Sequence, residues 1–163
     1  MQLKKISTPE YVERVKSFFC YIFWEETDYD LVHFYHSVSG AHDFERLEYY
    51  MGCVGDEVVG ISGIYADNKD ECWLGWFGVR PEYRRKGYAS AILKLQLEMM
   101  KNDGYKVCRL YTDEVINKNA VPLYERNGFV KDFEYENHII TMAKSLDGIT
   151  KAAKWQGEPL GFA

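Results

Sequence analysis

A chain of 163 residues, 47% hydrophobic and 28% charged, is long enough to bury one full core and has a soluble globular balance. A formal net charge of -5 argues against broad nucleic-acid binding. No 18-residue apolar run is present, so no membrane-spanning helix is expected.

Met1 to Ile6 alternates loosely and reads as an edge strand. The segment is too short for a signal peptide, and a polar helix start follows, so the expected location is cytoplasmic. Thr8-Pro9-Glu10 opens a helix, with Thr as cap, Pro in the first turn and Glu meeting the dipole. Val12, Val15, Phe18, Phe19 and Ile22 then recur at helical spacing. An acidic run, Glu25 to Asp30, precedes a second helix near Leu31 to Val38. Leu47, Tyr49, Met51 and Cys53 alternate as in a strand with one covered face. Gly55-Asp56 turns the chain into a buried partner strand, Val58 to Tyr65. Cys72 to Val79 reads as the next strand, with Gly75 and Gly78 as sites for a bulge.

Tyr88, Ala91, Ile92, Leu95 and Met99 form one face of a helix that ends at Gly104. A strand over Val107 to Thr112, a helix over Asn117 to Asn127, and two strands over Phe129 to Tyr135 and Ile139 to Ala143 complete the pattern. Strand–helix–strand over residues 72–112 implies a parallel pair. The expected fold is therefore mixed α/β. It has a central, mostly antiparallel sheet with one parallel strand pair, flanked by helices. Residues 1–144 make the domain. Residues 145–163 form a tail whose Trp155, Leu160 and Phe162 should pack on the domain or on a second subunit.

The strand at Cys72–Val79 runs into Arg84-Arg85-Lys86-Gly87, and a helix leaves it. Free N–H groups at a helix start, at the positive end of its dipole, bind phosphate, and the three cations add attraction for the same anion. A nucleotide-triphosphatase loop would place Lys after the second Gly with Ser or Thr behind it, and a dinucleotide fingerprint would need three glycines. Neither fits. The pattern present is Arg84-x-x-Gly87-x-Ala89. It follows Val79-x-Pro81-Glu82-Tyr83 and precedes Asn117-x-x-Ala120-x-x-Leu123-Tyr124-Glu125-x-x-Gly128-Phe129. Together these resemble the GNAT superfamily of acetyl-coenzyme A-dependent N-acetyltransferases, over roughly residues 1–144 in element order and specifically over 75–129.

The resemblance implies acetyl-coenzyme A as co-substrate, held on a splayed parallel strand pair. It implies that the backbone of Phe77, Gly78 and Val79 meets the thioester arm, with the Phe77 N–H as oxyanion donor. Arg84, Arg85, Lys86, Gly87, Tyr88, Ala89 and Ser90 would take the pyrophosphate. Asn117 would bind the pantetheine amides, and Tyr124 would act as general acid on the leaving thiolate. Read without the resemblance, Tyr124 is a core aromatic packed by Leu123 and Phe129. Some family members carry a Glu on the strand before the loop as general base. The matching stretch here, Cys72-Trp73-Leu74-Gly75-Trp76, has no carboxylate. Glu71, Asp113, Glu114, Asp28 and a water chain all stay open for that role.

Asp30, His33 and His36 share a spacing that could set three ligands on one helix face, but no second cluster matches it, so no metal is expected. Cys20, Cys53, Cys72 and Cys108 are dispersed in apolar contexts and read as buried, reduced thiols. The expected acceptor is a small-molecule amine, with a protein N-terminus or lysine as the alternative and a non-catalytic acyl-coenzyme A sensor as a third reading. No nucleic-acid or membrane partner is expected, and any homodimer should form through the tail or a sheet edge.

Overall fold

The computed structural model describes residues 1–22 and 32–160. The acidic run Glu25–Asp30, with the candidate base Asp28, lies outside the described residues, as do Leu31 and Phe162. Contacts divide the chain into two units: Met1–Tyr65 with Gly75–Gln96, and Ala66–Leu74 with the residues from Leu97 onward.

In the first unit, β1 (Gln2–Lys5) pairs antiparallel with β2 (Arg46–Val54), from Gln2 opposite Cys53 to Lys5 opposite Tyr50. The Gly55-Asp56 turn joins β2 to β3 (Glu57–Ala66). Helix α1 (Pro9–Ile22) starts as Thr8 predicts, since Thr8 Oγ1 accepts from the Tyr11 N–H at 3.4 Å. Helix α2 (Val32–Ser39) sets Phe34 against Tyr49, ring centroids 4.4 Å apart. Val12, Val15, Phe34 and Met51 are fully buried and anchor this core.

The expected strand Cys72–Val79 is two strands. β4 (Glu71–Leu74) belongs to the second unit and β5 (Gly78–Val79) to the first. The chain breaks over residues 75–77, where the Gly75 N–H donates to the Gly63 carbonyl at 2.8 Å. β5 then pairs antiparallel with β3, Val79 opposite Gly60. Gly60 is obligatory: a Cβ there would lie 2.5 Å from the Gly78 carbonyl oxygen and 2.8 Å from Ile92. Its absence lets β5 and helix α3 (Tyr88–Asn102) close on one cluster of Val59, Val79 and Ile92.

In the second unit β4 runs parallel to β6 (Val107–Asp113), with Trp73 opposite Arg109. β6 pairs antiparallel with β8 (Ile139–Ser145), and β8 with β7 (Val130–Glu134), which carries a bulge between Lys131 and Phe133. The strand pairings are antiparallel except for β4 with β6, and the fold is mixed α/β. Helix α4 spans Ala120–Arg126, three residues later than its expected start at Asn117. The reason is local. The Asp113 carboxylate accepts from the Val115 and Ile116 N–H groups, both at 2.9 Å, which holds a turn where the helix would begin. Pro122 then sits in the first turn, where no N–H is needed. No helix among the described residues is long and apolar enough to cross a membrane.

Candidate active site

The loop between β5 and α3 is built from backbone. Arg80 donates its N–H to Val59, and a short 3-10 turn follows over Pro81–Tyr83. Arg85 then has φ 61° and Gly87 φ 83°, two left-handed residues separated by Lys86. Alternating handedness turns successive N–H groups to one side and forms an anion-binding concavity. The first intrahelical bond of α3 runs from the Ala91 N–H to the Gly87 carbonyl, so the amides of Tyr88, Ala89 and Ser90 lie ahead of the helical ladder. Arg84, Arg85, Lys86 and Gly87 are exposed, and Tyr88, Ala89 and Ser90 are half-buried. Nothing lies within 4 Å of where a Gly87 Cβ would stand.

Side chains brace this loop from behind. The Arg84 Nε donates to the Val79 carbonyl at 2.9 Å. Tyr83 packs on Tyr88 at 6.1 Å and donates its hydroxyl to Glu57 at 2.9 Å, while Lys86 stands 5.8 Å over the Tyr83 ring. Glu57 holds the Tyr83 phenol above its ordinary pKa, so it keeps its proton. An open pocket lies beside the loop, lined by Arg14, Asp56, Glu57, Arg80 and Glu82 among others. Its Arg80 is already matched by Glu57 at 3.4 Å and Glu82 at 2.6 Å.

Phe77 precedes β5 and packs on the Val59–Val79–Ile92 cluster while staying half-exposed. Among the described strands β5 pairs with β3 alone. Trp76 is half-exposed, whereas Trp73 is core, 1% exposed.

In the second unit Asn117 stands before α4, and its Nδ2 donates to Thr112 Oγ1 at 3.2 Å, tying it to the end of β6. Its carbonyl accepts from the Ala120 N–H at 2.8 Å. Tyr124 is buried on α4, 5.9 Å and edge-on from Phe129. Burial pushes its phenol well above the ordinary tyrosine range. The group therefore holds its proton at any physiological pH.

The candidate bases are engaged. Glu71 receives Nε and Nη2 of Arg109, both at 3.1 Å, Asp113 caps its turn, and Glu114 pairs with Lys131 at 3.2 Å. His33 and His36 are half-buried on α2, while Asp30 lies outside the described residues. Among the described residues no group of His, Cys, Asp or Glu is arranged to hold a metal ion. Cys53, Cys72 and Cys108 are buried free thiols. The sequence reading passed over Arg109, 2% exposed within β6. A lone cation inside the apolar run Val107-Cys108-Arg109-Leu110 was the available signal, since Arg is almost never fully buried unless paired.

The fold is mixed α/β, and left-handed Arg85 and Gly87 shape the loop that leads from a short strand into a helix. The sequence matches the Acetyltransferase (GNAT) family over residues 7–129, and the chain belongs to that family of acetyl-coenzyme A-dependent N-acetyltransferases. No curated protein matches it. Among solved structures it is similar to an aminoglycoside 6'-acetyltransferase type Ii (16% identity, 93% of this chain and 100% of that one, TM-score 0.73). It is similar to the spermidine N-acetyltransferase from Vibrio cholerae in complex with CoA and spermine (16%, 90% and 95%, TM-score 0.70). It is also similar to the ribosomal-protein-S18-alanine N-acetyltransferase from Escherichia coli (16%, 99% and 99%, TM-score 0.69). At these identities the likeness is one of fold.

Proposed function

We propose that this chain moves an acetyl group from acetyl-coenzyme A to the primary amine of a small cationic molecule, by direct attack in a ternary complex. The observation that carries the reading is the loop with left-handed Arg85 and Gly87 ahead of α3, fringed by three exposed cations. It suits a pyrophosphate. In this reading the pyrophosphate rests on the amides of Arg85 to Ala89, with Ser90 beside them and Arg84 bracing the loop. The backbone of Gly78 and Val79 pairs with the thioester arm, and Asn117 meets the pantetheine.

The amine nitrogen attacks the thioester carbonyl, and the Phe77 N–H stabilises the oxyanion that forms. As the tetrahedral intermediate collapses, the C–S bond breaks and Tyr124 gives its proton to the thiolate, then regains one from solvent before the next turnover. Glu71, Asp113 and Glu114 are held by partners of their own, which leaves Asp28 or a water chain to take the amine's surplus proton. Residues 1–144 carry this chemistry in a cytoplasmic protein, and any homodimer uses the tail or a sheet edge.

A small cationic acceptor is supported by the likeness to an aminoglycoside 6'-acetyltransferase and to a spermidine N-acetyltransferase, and by the acidic run Glu25–Asp30. A protein N-terminus is the second reading, supported by the likeness to the S18-alanine enzyme. Release of coenzyme A thiol across polyamines, amino acids, aminoglycosides and short peptides tests the proposal. Turnover with a small amine is the expected result. Turnover with peptides alone replaces it with the second reading. No turnover despite acetyl-coenzyme A binding overturns the small-amine reading and favours a protein acceptor or a sensing role.

A further inference from the structure

The chain after β8 crosses the second unit without regular structure, and a buried cation fixes it there. Arg109 gives Nε and Nη2 to the two oxygens of Glu71, Nη1 to Asp132 at 2.8 Å, and Nη2 to the carbonyl of Ala153 at 2.7 Å. The same Asp132 oxygen accepts the Trp155 N–H at 2.9 Å. The indole of Trp155 lies over the guanidinium at 5.2 Å and meets Trp73 edge-on at 4.8 Å. Tyr135 donates its hydroxyl to the carbonyl of Gly157, and the Trp155 Nε1–H donates to that of Glu158 at 3.1 Å. Buried ion pairs of this kind add little net stability over an apolar core, but they hold a group in one position. The group held is an indole.

Its place matters. Trp73 stands at the carboxyl end of β4, and Tyr111, 6.4 Å from it, near the carboxyl end of β6. These are the parallel pair, and ligands gather outside the carboxyl ends of parallel strands. Neighbouring residues on a strand point to opposite faces. Thr112, next to Tyr111, holds Asn117, so the face that holds Asn117 is the co-substrate side in the reading above. The face of Trp73, Tyr111 and Trp155 is left to the acceptor.

That face is half-open and suited to an ammonium group. Tyr111, Phe133, Tyr135 and Trp155 are all partly exposed, and the Glu71 side chain is 29% exposed. The Phe133 ring already carries an ammonium group, Lys154 Nζ at 5.6 Å. Aromatic faces attract alkylammonium ions.

We propose that residues 153–158 form one wall of the acceptor site, with Trp155 as a specificity-determining residue that lays its indole against the chain of a cationic amine. This deepens the acetyltransferase reading and rests on it.

The test uses the full chain, wild type against Trp155→Ala and Trp155→Phe, with spermidine and kanamycin as acceptors. Trp155→Ala should lose about tenfold in kcat/KM for spermidine, the size of one desolvated cation–π contact, mainly through KM. The KM for acetyl-coenzyme A should stay within about twofold, Trp155→Phe should recover most of the loss, and the spermidine-to-kanamycin ratio should change. An unchanged ratio overturns the proposal, whether kcat/KM holds for both amines or falls equally for both with a lower Tm. In the second case the tail is only a strap. A wild-type protein that binds acetyl-coenzyme A yet acetylates neither amine overturns the small-amine reading, and this proposal with it.

Discussion

At the scale of single residues, the proposed chemistry turns on whether Tyr124 can deliver a proton. Its burial disfavours the phenolate, so it arrives at each turnover protonated. Tyr124→Phe keeps the ring that packs on Phe129 and removes only the hydroxyl. The expected loss in kcat is about a hundredfold, at the low end for a positioned acid, with acetyl-coenzyme A affinity unchanged. Steady-state rates and a binding titration on both proteins check this. Stability carries the same signature. A folded pKa raised above the unfolded value contributes stability below the unfolded pKa of about 10, and that contribution is lost as pH rises through the folded one. Wild type should therefore weaken more steeply than Tyr124→Phe above about pH 10 in denaturant titrations.

At the scale of elements, Arg109 joins β4, β6, β7 and the tail, and the cation is nearly sealed from water. Removing one partner of a buried pair leaves the others uncompensated. Arg109→Ala strands Asp132, 11% exposed, and frees the carbonyl of Ala153. The expected destabilisation is about 3–5 kcal/mol, read by chemical denaturation. Arg109→Met, which also leaves Asp132 unpaired but fills the space, should lose less. The turn that launches the tail has its own pH dependence. The Thr150 hydroxyl and the Thr150 and Ile149 amides hold the Asp147 carboxyl well below its ordinary range. A depressed folded pKa gives stability that is present above the unfolded pKa of about 4 and lost as pH falls through the folded one.

At the scale of the whole molecule, the order of elements was legible because each has a periodic apolar face and a punctuating residue. Thr8 and Pro9 open α1, Gly55 turns the β2–β3 hairpin, and Gly104 ends α3. The turn between β5 and α3 was legible too, since Gly87 punctuates the passage from strand to helix. The break over residues 75–77 was less so. Gly75 and Gly78 signalled irregularity, but the bond from Gly75 to Gly63 depends on a partner strand that sequence does not place. The late start of α4 was hidden because Asp113 competes for the amides of Val115 and Ile116. The role of Arg109 was hidden because its partners, Glu71, Asp132 and Ala153, are 23 to 44 positions away.

Everything proposed for this chain depends on the loop at Arg84–Ser90 receiving the pyrophosphate of acetyl-coenzyme A. The most direct test is a calorimetric titration of wild type and Gly87→Glu with acetyl-coenzyme A. Gly87 has φ 83° with open space around it, so the variant adds backbone strain and a negative charge at the loop without a steric clash. Wild type should bind, and the variant should lose at least about tenfold in affinity, roughly 1.4 kcal/mol, while keeping its fold. Equal affinity in the two proteins would contradict the account.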